Sequence, residues 1–475
     1  MSIKRNFIYS SILVTSNYIF PFITYPYISR VLGVTNIGIC NFVDSIVNYF
    51  ILFSMMGIGI IGIREIASAK KNQDDLNSTF SSLFFLNAIS TVVSLVTLIG
   101  AIYLVPDLFQ YRALMYIGAI RLLSNFFLVD WFYRGIEKFK YVTSITIGVK
   151  CLYVIAVFLF IHTPNDYPVY YLLTTLMITI NAIFNWSYIR HFTQLTLKKL
   201  AIKKYVSQFF ILGFHSMLTT MYTSFNVAYL GFVTNPTEVG YYTTATKLYT
   251  IIIALYSAFT GVMLPRISAL LSEGKEEEFK SLIHKSIGVL FSIAIPIVII
   301  ACTFSPEIIE IISGKGFEGA IPATRIVMPL ILIIGYEQII VIQILMPLKR
   351  DKAIFINSII GASVGILLNI LLVAFLKSTG SAIVWLISEI SVLISAQYFV
   401  QKNTEIKFPF KELSKNLLSY IPAMAICILI YLNVEGNAFL RLGISSAFIG
   451  IYFFIVQRFY LRNEIILPLI YKLKK

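Results

Sequence analysis

Along this chain the apolar residues run on for eighteen positions or more before a polar break, as in "IGVLFSIAIPIVIIACTF" (287–304) and "FINSIIGASVGILLNILLVAFL" (355–376). Such runs show neither the alternation of a half-buried strand nor the one-faced spacing of a surface helix. An unbroken apolar stretch of this length reads as a helix crossing a bilayer, which needs about 20 residues. Set against the polar breaks, the pattern predicts fourteen helices, over residues 6–29, 38–63, 79–105, 111–133, 140–162, 167–190, 207–231, 238–262, 283–304, 322–347, 354–376, 380–401, 416–433 and 437–457. The breaks are short, and none holds a soluble domain.

Composition agrees: 58% of the residues are hydrophobic, 13% are charged and the mean hydropathy is +0.82, where a soluble protein has about 25% charged residues. The fold class is all-α and polytopic. A net charge of +15 would suit a nucleic-acid partner, but its placement points to membrane topology. Of the 38 Lys and Arg, 29 fall on the side carrying the N-terminus, 6 on the other, and 3 inside spans. That bias predicts an even number of spans with both termini cytoplasmic, and no nucleic-acid partner. The basic start "MSIKRNFIYSSILV" leads into an apolar run reaching residue 29, a first span and not a cleaved leader. Cys40, Cys151, Cys302 and Cys427 lie singly in apolar runs, and His162, His191, His215 and His284 are scattered. No metal site and no cofactor is expected.

An internal repeat organises the helices. Gly38–Ala67 matches Gly240–Ala269 at a constant offset of 202, pairing Gly38 with Gly240, Gly59 with Gly261, Arg64 with Arg266 and Ala67 with Ala269. The offset spans six helices, an even number, so both copies share one orientation. The expected architecture is two pseudo-symmetric six-helix lobes, residues 1–204 and 205–402, followed by two more transmembrane helices and a basic tail, 403–475. The repeat also removes a false signal. "SMMGIGIIGIRE" (54–65) spells the G-x-G-x-x-G dinucleotide fingerprint, but no strand precedes it, and its counterpart "GVMLPRIS" lacks the pattern. Its glycines read as helix-packing points.

The stretches "YPYISRVLGVTNIGICNFVDSIVNYFILFSMMGIGIIGIREIA", "DWFYRGIEKFKYVTSITIGVK" with "NDYPVYYLL", and "EVGYYTTATKLYTIIIALYSAFTGVMLPRIS" resemble the Wzx-type oligosaccharide repeat-unit flippases. These belong to the multidrug/oligosaccharidyl-lipid/polysaccharide exporter superfamily. The resemblance implies a flippase, not an enzyme. It would carry polyprenyl-diphosphate-linked oligosaccharide from the cytoplasmic to the outer leaflet of a bacterial inner membrane, by alternating access through a central cavity. It further implies the polymerase and chain-length regulator of the same pathway as partners. Two alternatives stand beside it. One is a multidrug or cation-coupled exporter of the same superfamily, although the first helix has no Asp or Glu. The other is a membrane-embedded polymerase, whose catalytic groups would have to come from the outer loop 305–321 with Glu307, Glu310, Lys315 and Glu318.

Ionisable groups inside spans are costly and face a bundle interior or a wet cavity. The candidates are Asp44, Arg121, Asp130, Lys150, Lys247, Glu337 and Glu389. A diphosphate needs cationic donors where charge-assisted hydrogen bonds are strong, which Arg121, Lys150 and Lys247 would supply. Asp44 and Lys247 occupy nearly equivalent positions of the two repeats, because Lys247 is the counterpart of Ser45; Arg30, near the outer end of helix one, completes the expected cavity set. Arg121 and Asp130, nine residues apart, point to opposite faces of one helix. Asp130 can instead pair with Arg134, four residues on, and reads as structural. Glu337 and Glu389 are expected to form a coupling-ion relay. Every one of these charges would serve equally as an interhelical ion pair that only fixes packing.

Overall fold

The computed structural model describes residues 3–197 and 200–461. Lys198, Lys199, Arg462, Lys472, Lys474 and Lys475, counted above for topology, lie outside them, as do the side chains of Lys4, Arg5 and His215. Among the described residues all regular structure is helical. The chain packs as two compact units, Met1–Gly240 and Tyr241–Lys475.

The first unit contains α1 (Ile3–Met55), α2 (Ile58–Ala69), α3 (Gln73–Leu104), α4 (Pro106–Phe109), α5 (Arg112–Leu128), α6 (Asp130–Gly135), α7 (Phe139–Phe160), α8 (Tyr167–Ile189), α9 (Ile202–Val233) and the start of α10 (Pro236–Ser272). The helix expected over 38–63 is thus two pieces. α1 runs on from the first span across Gly33, at φ 75°, and ends where Met56 turns left-handed at φ 36°. The helix expected over 111–133 is also two pieces, because Val129 sits at φ 39°. Left-handed backbone is unfavourable for any residue with a Cβ, and most of all for a β-branched one.

A break inside a membrane exposes carbonyls that water cannot reach, so a neighbouring helix must satisfy them. At the first break the Ser54 carbonyl accepts from Asn87 Nδ2 on α3 at 2.8 Å and also from the Ser90 hydroxyl. At the second, the Leu128 carbonyl accepts from Asn185 Nδ2 on α8 at 2.8 Å. Aromatic packing holds the two short helices that follow: Trp131 of α6 stacks on Phe80 of α3 at 5.6 Å, and Phe132 meets the same ring edge-on at 5.2 Å. Within "SMMGIGIIGIRE", Gly57 caps α2 and donates to the Phe209 carbonyl of α9 at 3.2 Å, while Gly62 lies against the Trp131 indole.

Just past Gly33, in the interior of α1, residues 202 positions apart come into contact. Thr35 Oγ1 and Thr237 Oγ1, 202 positions apart, are hydrogen-bonded at 2.8 Å. A Cβ on Gly38 would strike the Pro236 carbonyl, and one on Gly240 would strike the Val34 carbonyl. Residues 34 and 236 also stand 202 positions apart, so the two close approaches mirror one another.

The second unit holds the rest of α10, then α11 (Glu276–Thr303), α12 (Ser305–Ser313), α13 (Ala320–Val327), α14 (Leu330–Gln338), α15 (Asp351–Leu368), α16 (Ala374–Asn403), α17 (Phe410–Asn433) and α18 (Ala438–Val456). A π-helical stretch, Ile339–Leu345, extends α14, and another, Asn369–Val373, joins α15 to α16. Inside α16, Lys377 leaves helical geometry at φ 52°, ψ −130°, one residue after the eleventh apolar run ends.

Eleven helical stretches among the described residues are long and apolar enough to cross a bilayer. Two of them, Ile8–Ala69 and Asp351–Asn403, have 62 and 53 residues, room for two crossings each at about 20 residues per crossing. Val96, Leu104, Phe375, Ile394 and Leu432 project from these helices fully or largely exposed, an apolar exterior that lipid and not water covers. The chain is a multi-pass membrane protein.

Candidate functional site

The charges singled out in the spans fall into three clusters. In the first unit, Asp44 of α1 and Arg121 of α5 form an ion pair through Arg121 Nη1 and Asp44 Oδ1. α5 comes this close because Gly118, one turn before Arg121, meets Val47 of α1 and the Tyr171 hydroxyl of α8. The pair is not closed: Arg121 Nε is buried without a hydrogen-bond partner, and the second Asp44 oxygen accepts from Asn48 Nδ2 at 3.0 Å. The two side chains keep 29% (Asp44) and 17% (Arg121) of their surface exposed. Arg121 therefore carries a counter-charge within the protein, and the net cation expected here is neutralised in this state.

One helical turn further, Asn125 donates to the Arg121 carbonyl at 3.0 Å and lines a cleft of about 130 Å³ with Met55, Gly59, Leu128, Asp130 and Arg134. This cleft lies between the two helix breaks. Its acid is satisfied differently from the sequence expectation: among the described residues Asp130 makes no ion pair with Arg134, and it accepts instead from Asn185 Nδ2 at 3.0 Å. Arg134, four residues on in the same α6, lines the same cleft and acts on the Asp130 charge without a direct contact. Asn185 ties both sides of the Val129 break together.

Lys150 forms the second cluster. It sits mid-way along α7, only 7% exposed. Its Nζ donates to Ser16 Oγ at 2.8 Å and Asn17 Oδ1 at 2.6 Å on α1, and stands 5.8 Å from the Phe20 ring centroid. All three partners are neutral. A buried ammonium held only by neutral groups retains most of its desolvation cost.

In the second unit, Glu337 of α14 and Glu389 of α16 are neighbouring carboxyl groups, each acting on the charge of the other. Trp385 Nε1 donates to Glu389 at 2.9 Å, and its ring meets Tyr249 of α10 edge-on at 5.0 Å. Next to Glu337, Gln338 bonds Ser257 of α10 at 3.0 Å. Lys247 lies half-buried on the same α10. Arg30 is exposed on α1 and donates to the Pro26 carbonyl of its own helix at 2.6 Å.

Asn48, Asn125 and Trp385 escaped the sequence reading, although each stands four residues from a candidate charge, the spacing that places side chains together on a helix. Ser16, Asn17, Tyr171 and Asn185 join the clusters from distant segments and leave no local signal. Of the acids in 305–321, Glu307 is 4% exposed and paired with Arg441 at 3.4 Å, and Glu318 accepts from the Gly316 N–H at 3.0 Å. Among the described residues no group of three or more His, Cys, Asp or Glu could hold a metal ion.

The family described as "Polysaccharide biosynthesis protein" matches residues 3–271. A protein of Escherichia coli (strain K12) named "Putative O-antigen transporter" is 26% identical over 410 residues, covering 85% of this chain and 98% of its own. The "Probable low-salt glycan biosynthesis flippase Agl15" of Haloferax volcanii is 22% identical over 49% of this chain and 48% of its own length. Among solved structures, "Lipid II flippase MurJ, inward closed conformation" superposes with a TM-score of 0.78 at 15% identity, over 97% of this chain and 99% of its own. An outward-facing "multidrug resistance MATE family transporter of the MOP superfamily" gives 0.55 at 15% identity, over 83% of this chain and 94% of its own. These structural likenesses concern the fold.

Proposed function

Because the chain belongs to the polysaccharide biosynthesis protein family, we propose that it is a flippase that moves polyprenyl-diphosphate-linked oligosaccharide from the cytoplasmic to the outer leaflet of a bacterial inner membrane. The names of its relatives, O-antigen transporter and glycan flippase, support the substrate class. The observation that carries the proposal is Lys150, an ammonium sunk in a membrane helix among neutral partners. Its desolvation is recovered when an anionic headgroup docks beside it. Arg121, Lys247, Asp44 and Arg30 complete the proposed cationic cavity of a fourteen-span protein whose proposed lobes are residues 1–204 and 205–402, with both termini in the cytoplasm. Alternating access moves the headgroup across, and the Glu337–Glu389 pair serves as the coupling-ion relay. The polymerase and chain-length regulator of the pathway are its proposed partners.

A flippase-null strain tests this. Expression of wild-type protein restores surface polymer, whereas Arg121→Ala and Lys247→Ala remove it at unchanged protein level. Normal polymer from both variants would overturn the assignment, and extrusion of drugs without polymer would favour the multidrug-exporter alternative.

A further inference from the structure

Resting on that reading, we propose that Asp44 is an internal stand-in for the substrate's phosphate: it occupies Arg121 when no headgroup is bound, and transfers to Asn48 when a phosphate takes its place.

Four observations converge on this exchange. First, the Asp44–Arg121 contact uses one guanidinium nitrogen and one carboxylate oxygen, although Arg can bind a carboxylate or phosphate through two parallel bonds. Second, Arg121 Nε is buried and has no partner. A diphosphate, with more acceptor oxygens than a carboxylate, can take the Nη1–Nη2 edge with one phosphate and reach Nε on the adjoining edge with the other. Leaving that donor empty costs about 1–3 kcal/mol, so the present pair is not the best occupant of the guanidinium.

Third, Asp44 already has a second partner. Asn48, one turn further along α1, donates to its other oxygen at 3.0 Å. A small side-chain rotation would release Arg121 while this bond is kept. Fourth, both side chains remain partly exposed, so an incoming anion reaches the pair without unfolding anything around it. The remaining ionisable groups whose fields act here are Cys40 of α1, Tyr153 of α7 and Tyr170 and Tyr171 of α8. The exchange is between two anions at one cation, with the neutral Tyr171 hydroxyl beside the guanidinium.

The arrangement has a functional reason. A bare arginine in a membrane-spanning site would bind any passing anion and would be costly to maintain. A tethered carboxylate keeps the empty site near neutral, and it is displaced only by a ligand that binds the guanidinium better. A ligand can shift such an equilibrium only by its difference in affinity for the two states. The same carboxylate speeds release, because it competes for Arg121 as the headgroup leaves.

The test measures binding of polyprenyl diphosphate to the purified full-length protein in nanodiscs, with inorganic pyrophosphate and polyprenyl alcohol as separate arms. Asp44→Asn removes the competing charge and keeps the shape; it is expected to tighten polyprenyl diphosphate at least tenfold. Asn48→Ala removes the fallback partner and is expected to weaken binding several-fold, while Arg121→Gln abolishes it. Monodispersity of each variant on size exclusion excludes misfolding. Tightening with pyrophosphate as well as the lipid assigns the site to the phosphates themselves. Tightening with the lipid alone assigns it to a phosphate presented on its chain, and polyprenyl alcohol should not respond in either case. If Asp44→Asn binds no tighter while Arg121→Gln still loses binding, the exchange is overturned and the anion role of Arg121 stands. If Arg121→Gln binds as wild type, that role itself fails.

Discussion

Replacing Lys150 with methionine separates a binding charge from a structural one. Methionine is unbranched, close to lysine in length and uncharged. The structure allows the cost of the change to be worked out. Two charge-assisted hydrogen bonds disappear, each worth about 1.5–3 kcal/mol, but neither partner is stranded: Ser16 still donates to the Leu13 carbonyl at 2.7 Å, and Asn17 is exposed. Against that loss stands the recovered desolvation of a buried ammonium, several kcal/mol. The variant is therefore expected to lie within about 1 kcal/mol of wild type, or above it, in thermal unfolding of the detergent-solubilised protein. Transport behaves differently. Losing one charge-assisted contact to a diphosphate, about 1.5–3 kcal/mol, lowers uptake roughly 10- to 150-fold at 1.4 kcal/mol per decade. The assay follows a labelled lipid-linked sugar in proteoliposomes at matched protein density. A variant that unfolds several degrees earlier and loses transport only in proportion would show that Lys150 merely pins α7 to α1.

Asn185→Leu should destabilise the protein by about 2–4 kcal/mol, because the Leu128 carbonyl and the Asp130 carboxylate lose their shared donor inside the membrane; a melting temperature equal to wild type would refute the patching role. Gly118→Val should cost about 1–3 kcal/mol by forcing α5 away from Val47, and should loosen the Asp44–Arg121 pair, read as accelerated hydrogen exchange in α5. Lys70 at 2.6 Å holds the exposed Glu137 carboxyl below its ordinary value of 4.5. A depressed carboxyl stabilises fully above its unfolded pKa, and that contribution is lost as pH falls through the lower folded value. Glu137→Gln should therefore flatten the melting temperature below pH about 4.5, and an unchanged acid limb would exclude the pair as its source.

How far the sequence could be read depended on whether a feature is local. Apolar runs are local, and they located the helices; the run ending at residue 376 stops beside the Lys377 break. The left-handed residues Met56 and Val129 were invisible, since a Met or a Val carries no signal for a conformation that its own side chain disfavours. Those two breaks nonetheless shape the cleft, and the second places Asp130 against Asn185 of α8. Of the site, the charges themselves were legible, and so in principle were Asn48 and Asn125 by their spacing. The pairing of Asp44 with Arg121, 77 residues apart, required the packed helices, as did the neutral surroundings of Lys150. The contact of Thr35 with Thr237 likewise required the packed helices.

The most direct measurement is translocation itself. Proteoliposomes holding the purified protein and a labelled polyprenyl-diphosphate-linked oligosaccharide are challenged with an external enzyme that removes only outward-facing label. Wild-type protein is expected to expose the inner-leaflet pool, leaving no protected fraction, while the Lys150→Met and Arg121→Gln variants keep about half the label protected. A protected half that persists with the wild-type protein, or that vanishes equally with both variants, would contradict a flippase working through these cations.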